Sequence, residues 1–203
     1  MKRTVIGLMM ALALAGVARA ELLTGQLMLN SKGGKVLGLN TSAGLAAVVY
    51  GEKMQFIGVP SLADVQMCDE VEIDFSRSDT SRVINSLALK KKGGTEMCPL
   101  LMAPAVTPVE LYRALDSGSA AVFDVRSVGE FLAAHLAGAG NLPLGELEER
   151  IAEIPKDKPV ILYCGTARRA LFSAVLLKEK GVRVSYVKGK FVVKDGKPQI
   201  IEQ

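Results

Sequence analysis

The sequence predicts an α/β domain, with a parallel sheet covered by helices, that follows a small all-β domain. Two capping-box patterns, at 107–110 and 127–130, each open a run with apolar residues at helical spacing. The apolar run 160–163 is typical of a strand buried on both faces of a parallel sheet. Nearer the N-terminus, apolar and acidic residues alternate over 70–75, which indicates a half-buried antiparallel strand.

Helices and strands alternate along the predicted α/β domain, which is expected over 107–203. Its elements are helix 108–116, strand 120–125, helix 128–134, a strand near 141, helix 146–153, strand 159–163, helix 169–180 and strand 182–187. Pro108 occupies the first helical position, and Gly181 is a stop signal for the last helix. Such alternation predicts parallel strands with helices on both faces of the sheet. Residues 188–201 instead predict a β-hairpin that turns at 195–196.

The region 21–92 has short apolar runs and turn residues, without a helical period. Its predicted strands are 22–30, 35–40, 45–50, 54–57, 70–75 and 82–89. They indicate a small β-barrel, with an OB-like barrel as the specific hypothesis and an open β-sandwich as the alternative. The aromatic residues Tyr50, Phe56 and Phe75 are interpreted as core, because no basic stripe accompanies them. This domain could bind a protein partner. Residues 93–106, with two adjacent glycines and two prolines, predict a linker.

Residues 1–20 predict a Sec-type signal peptide that is cleaved after Ala20. Lys2 and Arg3 precede an uncharged apolar stretch, and Ala18 to Ala20 has the small-x-small form of a cleavage site. The expected location is the periplasm or the exterior, without membrane insertion after cleavage; an uncleaved anchor is the alternative. Cleavage would leave 22 basic residues of the original 25 against 21 acidic ones, so the composition does not favour nucleic-acid binding.

The segment around Cys164 combines a buried strand, a short loop and a helix. Cys164 follows the apolar run 160–163, and helical spacing resumes at Arg169. The carboxyl end of a parallel strand is where open α/β sheets bind ligands. Backbone N–H groups in the loop, the following helix N-terminus and the arginines at 168 and 169 favour an anion there, including a thiolate. The alternative is a buried structural cysteine.

This loop and the segments upstream of it resemble the rhodanese-like sulfurtransferases. Arg169 is the sixth residue counted from Cys164, and the spacing Cys-x-x-x-x-Arg is similar to the active-site loop of that family. Phosphatases of the same fold have a loop one residue longer. The other matching motifs are Asp-Val-Arg-Ser at 124–127, Glu-Phe at 130–131, His-Leu-Ala-Gly-Ala at 135–139 and Asn-Leu-Pro-Leu at 141–144. The resemblance covers residues 107–187 and implies a rhodanese-like fold.

The resemblance implies sulfur transfer by double displacement. The Cys164 thiolate would take sulfane sulfur from thiosulfate, a polysulfide or a persulfide, and hold it as a persulfide. It would then pass the sulfur to a thiol or another thiophilic acceptor. The expected small-molecule partners are therefore a sulfur-containing anion or persulfide donor and a thiol acceptor. No metal and no organic cofactor is expected, because the cysteine itself carries the transferred group.

Roles for the neighbouring residues also follow from the resemblance. Backbone N–H groups of the loop are expected to bind the thiolate and the substrate: Gly165, Thr166, Ala167, Arg168 and Arg169. Arg168 is the better candidate for contacting substrate with its side chain. Arg169 is expected to brace the loop through an ion pair with Asp124 or Glu130. Arg126 either lines the mouth of the site or forms a surface salt bridge.

Two features depart from the family, and one that matches it needs an explanation. Ala167 stands where many loops of the family have glycine, so a positive φ there would strain the loop. The hairpin predicted after residue 187 replaces the usual final helix. His135, the only histidine, looks like a base for the cysteine, but the resemblance assigns it to a structural turn.

The three cysteines leave the pairing open. The resemblance implies that Cys164 is free, which leaves Cys68 and Cys98 to form a disulfide. The alternatives are two unpaired thiols, or a Cys98 that approaches Cys164 as a resolving thiol.

The sequence favours an exported sulfurtransferase and leaves three rival functions. One is a rhodanese-fold module that binds a sulfur species or a protein without turnover, which Ala167 and the altered C-terminus motivate. Another is a thiol redox protein that uses Cys164 with Cys98 or Cys68. A phosphatase or arsenate reductase is disfavoured by the length of the loop.

Overall fold

A computed structural model describes residues 21–94 and 99–202. Five strands form a closed barrel: β1 (Glu21–Ser31), β2 (Val36–Thr41), β3 (Gly44–Ile57), β4 (Glu70–Arg77) and β5 (Arg82–Lys91). They follow one another around the barrel in the order β1-β2-β3-β5-β4, and β1 pairs with β4 to close it. Only β3 and β5 pair in parallel among these strands. The prediction of a small all-β domain is confirmed, and the OB-like assignment stays a prediction.

The barrel strands match the alternation in the sequence, with one correction. Val71, Ile73 and Phe75 point into the barrel core, while the acidic residues between them are half-exposed. The two strands predicted at 45–50 and 54–57 are one continuous strand, β3. Its register against β5 shifts between Tyr50 and Gln55, so the polar residues at 51–53 form an irregularity within the strand instead of a turn.

A second sheet of five parallel strands contains the predicted α/β elements. Its strands are β6 (Ala105–Val106), β7 (Ala121–Asp124), β8 (Gly140–Asn141), β9 (Val160–Tyr163) and β10 (Val184–Val187), in the spatial order β6-β10-β9-β7-β8. The helices are α1 (Pro108–Ser117), α2 (Val128–Ala133) and α3 (Arg168–Glu179). Both predicted capping boxes are formed, at the N-termini of α1 and α2. The rhodanese-like fold class is thereby confirmed.

Two predictions for this domain are wrong in detail. The helix predicted over 146–153 is replaced by two 3-10 turns, Leu144–Glu146 and Ile151–Glu153. Prolines at 143 and 155 leave only a short segment, and burial of Leu147 and Ile154 holds it without a continuous helix. The interval predicted as a linker over 93–106 ends in β6, because its last two residues pair with β10.

The barrel and the α/β domain share one hydrophobic core. Barrel residues Met28, Leu29 and Val36 belong to the same buried cluster as Leu144 and Phe172. Gly38 lies so close to the Phe172 ring that an added Cβ would be 2.5 Å from it, so only glycine allows this contact. Burial on this scale stabilises each large side chain by about 1.5–3 kcal/mol. The two domains therefore pack as one body around the C-terminal helix α3.

Polar contacts complete this interface. Arg82 of the barrel donates hydrogen bonds to both carboxylate oxygens of Glu148, at 2.8 and 3.3 Å. Glu148 also accepts from the Ala47 N–H, and Glu179 accepts from the Leu45 N–H at 2.9 Å. These carboxylates satisfy backbone donors that would otherwise be buried without partners.

The chain ends in the predicted hairpin, formed by β11 (Lys190–Lys194) and β12 (Lys197–Ile201). Ile200 donates its N–H to the hydroxyl of Tyr112 on α1 at 2.7 Å, which docks the hairpin on the α/β domain. The expected signal peptide, residues 1–20, lies outside the described residues. Within the described ranges, no helix has the length and apolar character needed to cross a bilayer.

Candidate active site

Cys164 lies directly after β9, at the carboxyl end of the parallel sheet. It is a free cysteine and is 2% exposed. The Ala170 N–H, in the first turn of α3, donates to its Sγ atom at an N···S distance of 3.4 Å. This arrangement aims the N-terminus of a twelve-residue helix at the sulfur, where the helix dipole favours negative charge.

The cysteine loop, defined as residues 164–169, contains the predicted backbone donors, and their binding of thiolate and substrate stays a prediction. The Arg168 N–H is used within the loop, because it donates to the Thr166 carbonyl at 2.8 Å. The donor that reaches Sγ belongs to Ala170, which lies one residue beyond the predicted set. The sequence signal for this donor is the helical spacing that resumes after the loop, because the first N–H groups of a helix have no intrahelical partner.

Ala167, which replaces the glycine of many loops in the family, adopts a left-handed backbone conformation. Its φ and ψ are 61° and −22°, and it forms the N-cap of α3 without a side-chain hydrogen bond. An alanine in this region costs about 1–2 kcal/mol relative to a right-handed conformation. The turn is therefore strained at the residue where many loops of the resembled family have glycine.

The Ala167→Gly variant is expected to be more stable than the wild type by up to about 1 kcal/mol. Glycine removes the strain at positive φ, although its greater freedom in the unfolded chain offsets about 0.4–1 kcal/mol of that gain. Ala167→Val should destabilise, because a β-branched side chain is disfavoured at positive φ. Chemical denaturation measures both changes, and equal stability of the two variants would contradict the strain.

Arg169 is braced by Glu130. Its Nη1 and Nη2 atoms donate to the two Glu130 carboxylate oxygens, each at 2.7 Å. Arg169 is 9% exposed and the Glu130 side chain is 31% exposed. Of the two candidate partners from the sequence, the structure therefore places Glu130 on Arg169. Glu130 also accepts from Ser127 in the α2 capping box, so one carboxylate joins α2 to the cysteine loop.

The electrostatics of Glu130 reflect this double role. Burial raises the pKa of Glu130, but hydrogen bonds from Arg169 and Ser127 and the charge of Arg169 outweigh it and lower the pKa to about 2. The carboxylate is therefore ionised across the whole neutral and mildly acidic range.

Asp124 pairs with Arg126 instead. Arg126 donates to both oxygens of the fully buried Asp124, at 2.6 to 3.0 Å, and to the Ala134 carbonyl at 2.6 Å. The surface salt bridge, one of the two alternatives for Arg126, is wrong because this pair is buried. A place for Arg126 at the mouth of the site stays a prediction. Its guanidinium carbon lies 3.9 Å from the centroid of the Phe191 ring, a cation–π contact.

Phe191 on the C-terminal hairpin is a site residue that the sequence did not reveal. Its N–H donates to the Gly165 carbonyl at 3.1 Å, and its ring stacks near Tyr163, with centroids 6.0 Å apart. The hairpin therefore holds Gly165, the second residue of the cysteine loop, from outside. No local motif in the sequence marks this contact, because it joins residues far apart in the chain.

His135 occupies the structural turn that the resemblance implied. Its ring stacks on Phe131 with centroids 3.8 Å apart, and its Nδ1 atom lies 2.9 Å from the Phe131 carbonyl oxygen. The ring nitrogen is thereby used as a donor to α2. The contacts of His135 are with α2, and none of them is with Cys164.

A groove of about 610 Å³ runs between the barrel and the cysteine loop. We call it the interdomain groove. One wall is the cysteine loop, with Gly165, Thr166, Arg168 and Arg169; the other is formed by barrel residues 30–33 and 65–67. Thr166 and Arg168 are exposed toward solvent, and Arg168 forms no ion pair with a described residue. Arg168 is thus a cation, unpaired within the described residues, that the cysteine-loop wall offers to a ligand.

The predicted Cys68–Cys98 disulfide stays a prediction, because Cys98 lies outside the described residues. In the described ranges, no cluster of three or more His, Cys, Asp or Glu side chains has the arrangement of a metal site.

Known proteins are similar to part of this chain. Residues 107–193 match the family model described as a rhodanese-like domain. The human thiosulfate:glutathione sulfurtransferase is 36% identical over 93 residues, which cover 39% of this chain and 81% of that protein. The Bacillus subtilis protein YqhL is 42% identical over 79 residues, or 38% of this chain and 63% of YqhL. The solved structure of the human single-domain sulfurtransferase TSTD1 is 31% identical, covers 44% of this chain and 92% of that one, and has a TM-score of 0.40.

Proposed function

The chain belongs to the rhodanese-like family through residues 107–193, and on that premise we propose that it is a sulfurtransferase with Cys164 as the sulfur-carrying nucleophile. The proposal includes a sulfane-sulfur donor, such as thiosulfate or a persulfide, and a thiol acceptor. A relative named as a sulfurtransferase is 36% identical to this chain over 93 aligned residues. The neighbourhood of the sulfur atom is the main physical support.

The reaction proceeds in two displacements. The Cys164 thiolate attacks the outer sulfur of thiosulfate, an S–S bond forms to the cysteine, and the S–S bond of the donor breaks to release sulfite. Cysteine and donor exchange one sulfur atom, so no external oxidant or reductant is required. In the second step an acceptor thiolate attacks the outer sulfur of the Cys164 persulfide and leaves as a persulfide, which regenerates the Cys164 thiolate.

The single observation that carries this proposal is the Ala170 N–H donated to Sγ at the N-terminus of α3. A donor at this position stabilises the thiolate before the attack and an anionic persulfide after it. Arg168, exposed at the groove, is placed to bind the oxyanion of the donor. Arg169 is committed to Glu130 and acts on the loop as a positioning residue.

Intact mass spectrometry tests the proposal. The protein over residues 21–203, incubated with excess thiosulfate and then desalted, is expected to gain the mass of one sulfur atom. Addition of cyanide or a thiol should remove that mass and produce thiocyanate or a new persulfide. Absence of loading from thiosulfate, polysulfide and organic persulfide alike would overturn the proposal, as would faster hydrolysis of an aryl phosphate than sulfur transfer.

A further inference from the structure

We propose that the barrel forms the substrate-selecting wall of the interdomain groove, where Lys32 and Met67 favour an organic persulfide that carries a carboxylate. This inference rests on the proposed function and names the substrate class of the same site. The wall belongs to a domain outside the segment that matches the family model. It makes Lys32 and Met67 specificity-determining residues of this particular chain.

The barrel wall is held in place by its own hydrogen bonds. Asp69, 1% exposed, accepts from the N–H groups of Gln66 and Gly93 and from the Lys92 ammonium group. The Cys68 N–H donates to the Leu27 carbonyl at 2.8 Å, which ties the same segment to β1. Residues 65–67 thus form a preorganised surface, and a ligand that binds there does not have to order a loop.

The second part of the wall is the turn at 30–33. This turn and the adjoining Gly34 pack against the ion pair between Arg169 and Glu130. An added Cβ on Gly34 would be 2.8 Å from Nη1 of Arg169, and one on Gly33 would be 3.8 Å from Oε1 of Glu130. The turn that carries Lys32 is therefore positioned against the same ion pair that positions the loop after Cys164. This packing holds the turn that carries Lys32 against the cysteine loop.

The charge of the groove is positive. Lys32 and Arg168 line opposite walls, and neither forms an ion pair with a described residue. No acidic side chain lines the groove in the described ranges. A ligand with two anionic groups can therefore contact Arg168 in the cysteine loop with one group and Lys32 on the barrel wall with the other. Because no acidic side chain of the described ranges lines the groove, such a ligand meets little charge repulsion there.

The groove is larger than thiosulfate requires, and part of its lining is apolar. Its volume of about 610 Å³ lies in the range of sites that enclose organic ligands, roughly 300–1,000 Å³, whereas thiosulfate has only a few heavy atoms. Met67 is 37% exposed at the wall, above the buried Leu27, Leu29 and Val65. An aliphatic or peptide-like body would cover this apolar surface, with its carboxylate near Lys32.

The transfer step balances for such a donor. The Cys164 thiolate attacks the terminal sulfur of R–S–SH, the new S–S bond forms at Cys164, and the former S–S bond breaks to release R–S⁻. The donor persulfide is reduced to a thiol while the cysteine is oxidised to a persulfide. The proton stays with the transferred sulfur or passes to the leaving thiolate.

The test compares three donors on the protein over residues 21–203: thiosulfate, glutathione persulfide, and the diethyl ester of glutathione persulfide. Lys32→Glu is expected to raise the KM for glutathione persulfide about tenfold, because a charge-assisted contact becomes repulsive. The KM for the ester, which lacks both carboxylates, should change less than about threefold. Lys53→Glu, the same charge change on an exposed barrel lysine outside the groove, is the matched control and should leave all three donors unchanged.

Met67→Ser separates the apolar contact from the charge. It should raise the KM for glutathione persulfide and its ester alike, with thiosulfate unaffected, while Leu22→Ser on the exposed barrel surface is the control. If Lys32→Glu and Lys53→Glu behave alike with every donor that loads the wild type, the barrel wall does not select substrate. If no donor loads the wild type, the proposed function itself fails, so the two failures are distinguishable.

Discussion

The Cys164→Ser variant is expected to take up no sulfur from thiosulfate or any other sulfane donor, a loss of at least a thousandfold in transfer rate. A hydroxyl at this position is neither a comparable nucleophile nor able to form a persulfide. Serine is close to cysteine in size, so the site, which is 2% exposed, keeps its packing and the Ala170 N–H keeps an acceptor. Intact mass after donor treatment measures loading, and thiocyanate formation measures turnover.

Cys98→Ser is the matched control for this experiment. If Cys164 alone carries sulfur, the Cys98→Ser protein loads one sulfur atom as the wild type does. Retention of loading by Cys164→Ser together with its loss in Cys98→Ser would reverse the assignment of the nucleophile. Thermal denaturation of Cys164→Ser should differ little from that of the wild type, which separates a chemical loss from unfolding.

Local signals in the sequence were sufficient for the elements that present Cys164. The strand 160–163, the turn after it and the helix that follows are adjacent in the chain, and their periodicity survives in β9 and α3. The capping boxes at Thr107 and Ser127 also formed, because a cap depends on residues three positions apart. The positive φ at Ala167 was only a condition that the resemblance raised, because many loops of the family have glycine at that position.

Contacts between distant segments could not be predicted in this way. The choice between Asp124 and Glu130 as partner of Arg169 depends on how α2 packs beside the loop, and either carboxylate suits an arginine chemically. Phe191 reaches Gly165 from a hairpin that follows the whole domain. The interdomain groove depends on the docking of the barrel, which rests on close contacts such as Gly38 against Phe172. None of these has a spacing that a single sequence reveals.

Removing the ion pair between Arg169 and Glu130 is expected to have the largest effect on stability of any single change near the site. Arg169→Met leaves a partly buried carboxylate without its cation, and Glu130→Gln leaves a buried guanidinium without its anion. Each should cost about 3 kcal/mol of unfolding free energy, which is the low end for breaking a buried pair because Glu130 is 31% exposed. Glutamine keeps the capping box with Ser127, so this variant tests the pair alone.

The double variant Arg169→Met with Glu130→Gln measures the coupling free energy between the two side chains. Its loss should be smaller than the sum of the two single losses by about 1–3 kcal/mol, because neither charge is then left unpaired. Arg77→Met is the control, since its pairs with Glu21 and Glu149 are exposed and should contribute much less to the free energy of unfolding. Equal losses for Arg77→Met and Arg169→Met would contradict a bracing role for Arg169.

The pH dependence of stability gives an independent readout of the same pair. The pKa of Glu130 is lowered from 4.5 to about 2, so its contribution to stability is fully present above about pH 5 and is lost as the pH falls toward 2. Wild-type protein should therefore lose more stability than Glu130→Gln between pH 5 and pH 2, and the two curves should converge at the acid end. Sulfur loading at neutral pH should fall at least tenfold in Arg169→Met even in the fraction that remains folded, because the loop that presents Cys164 has lost its link to α2. Parallel stability curves for wild type and Glu130→Gln would show that the carboxylate does not stabilise the native loop.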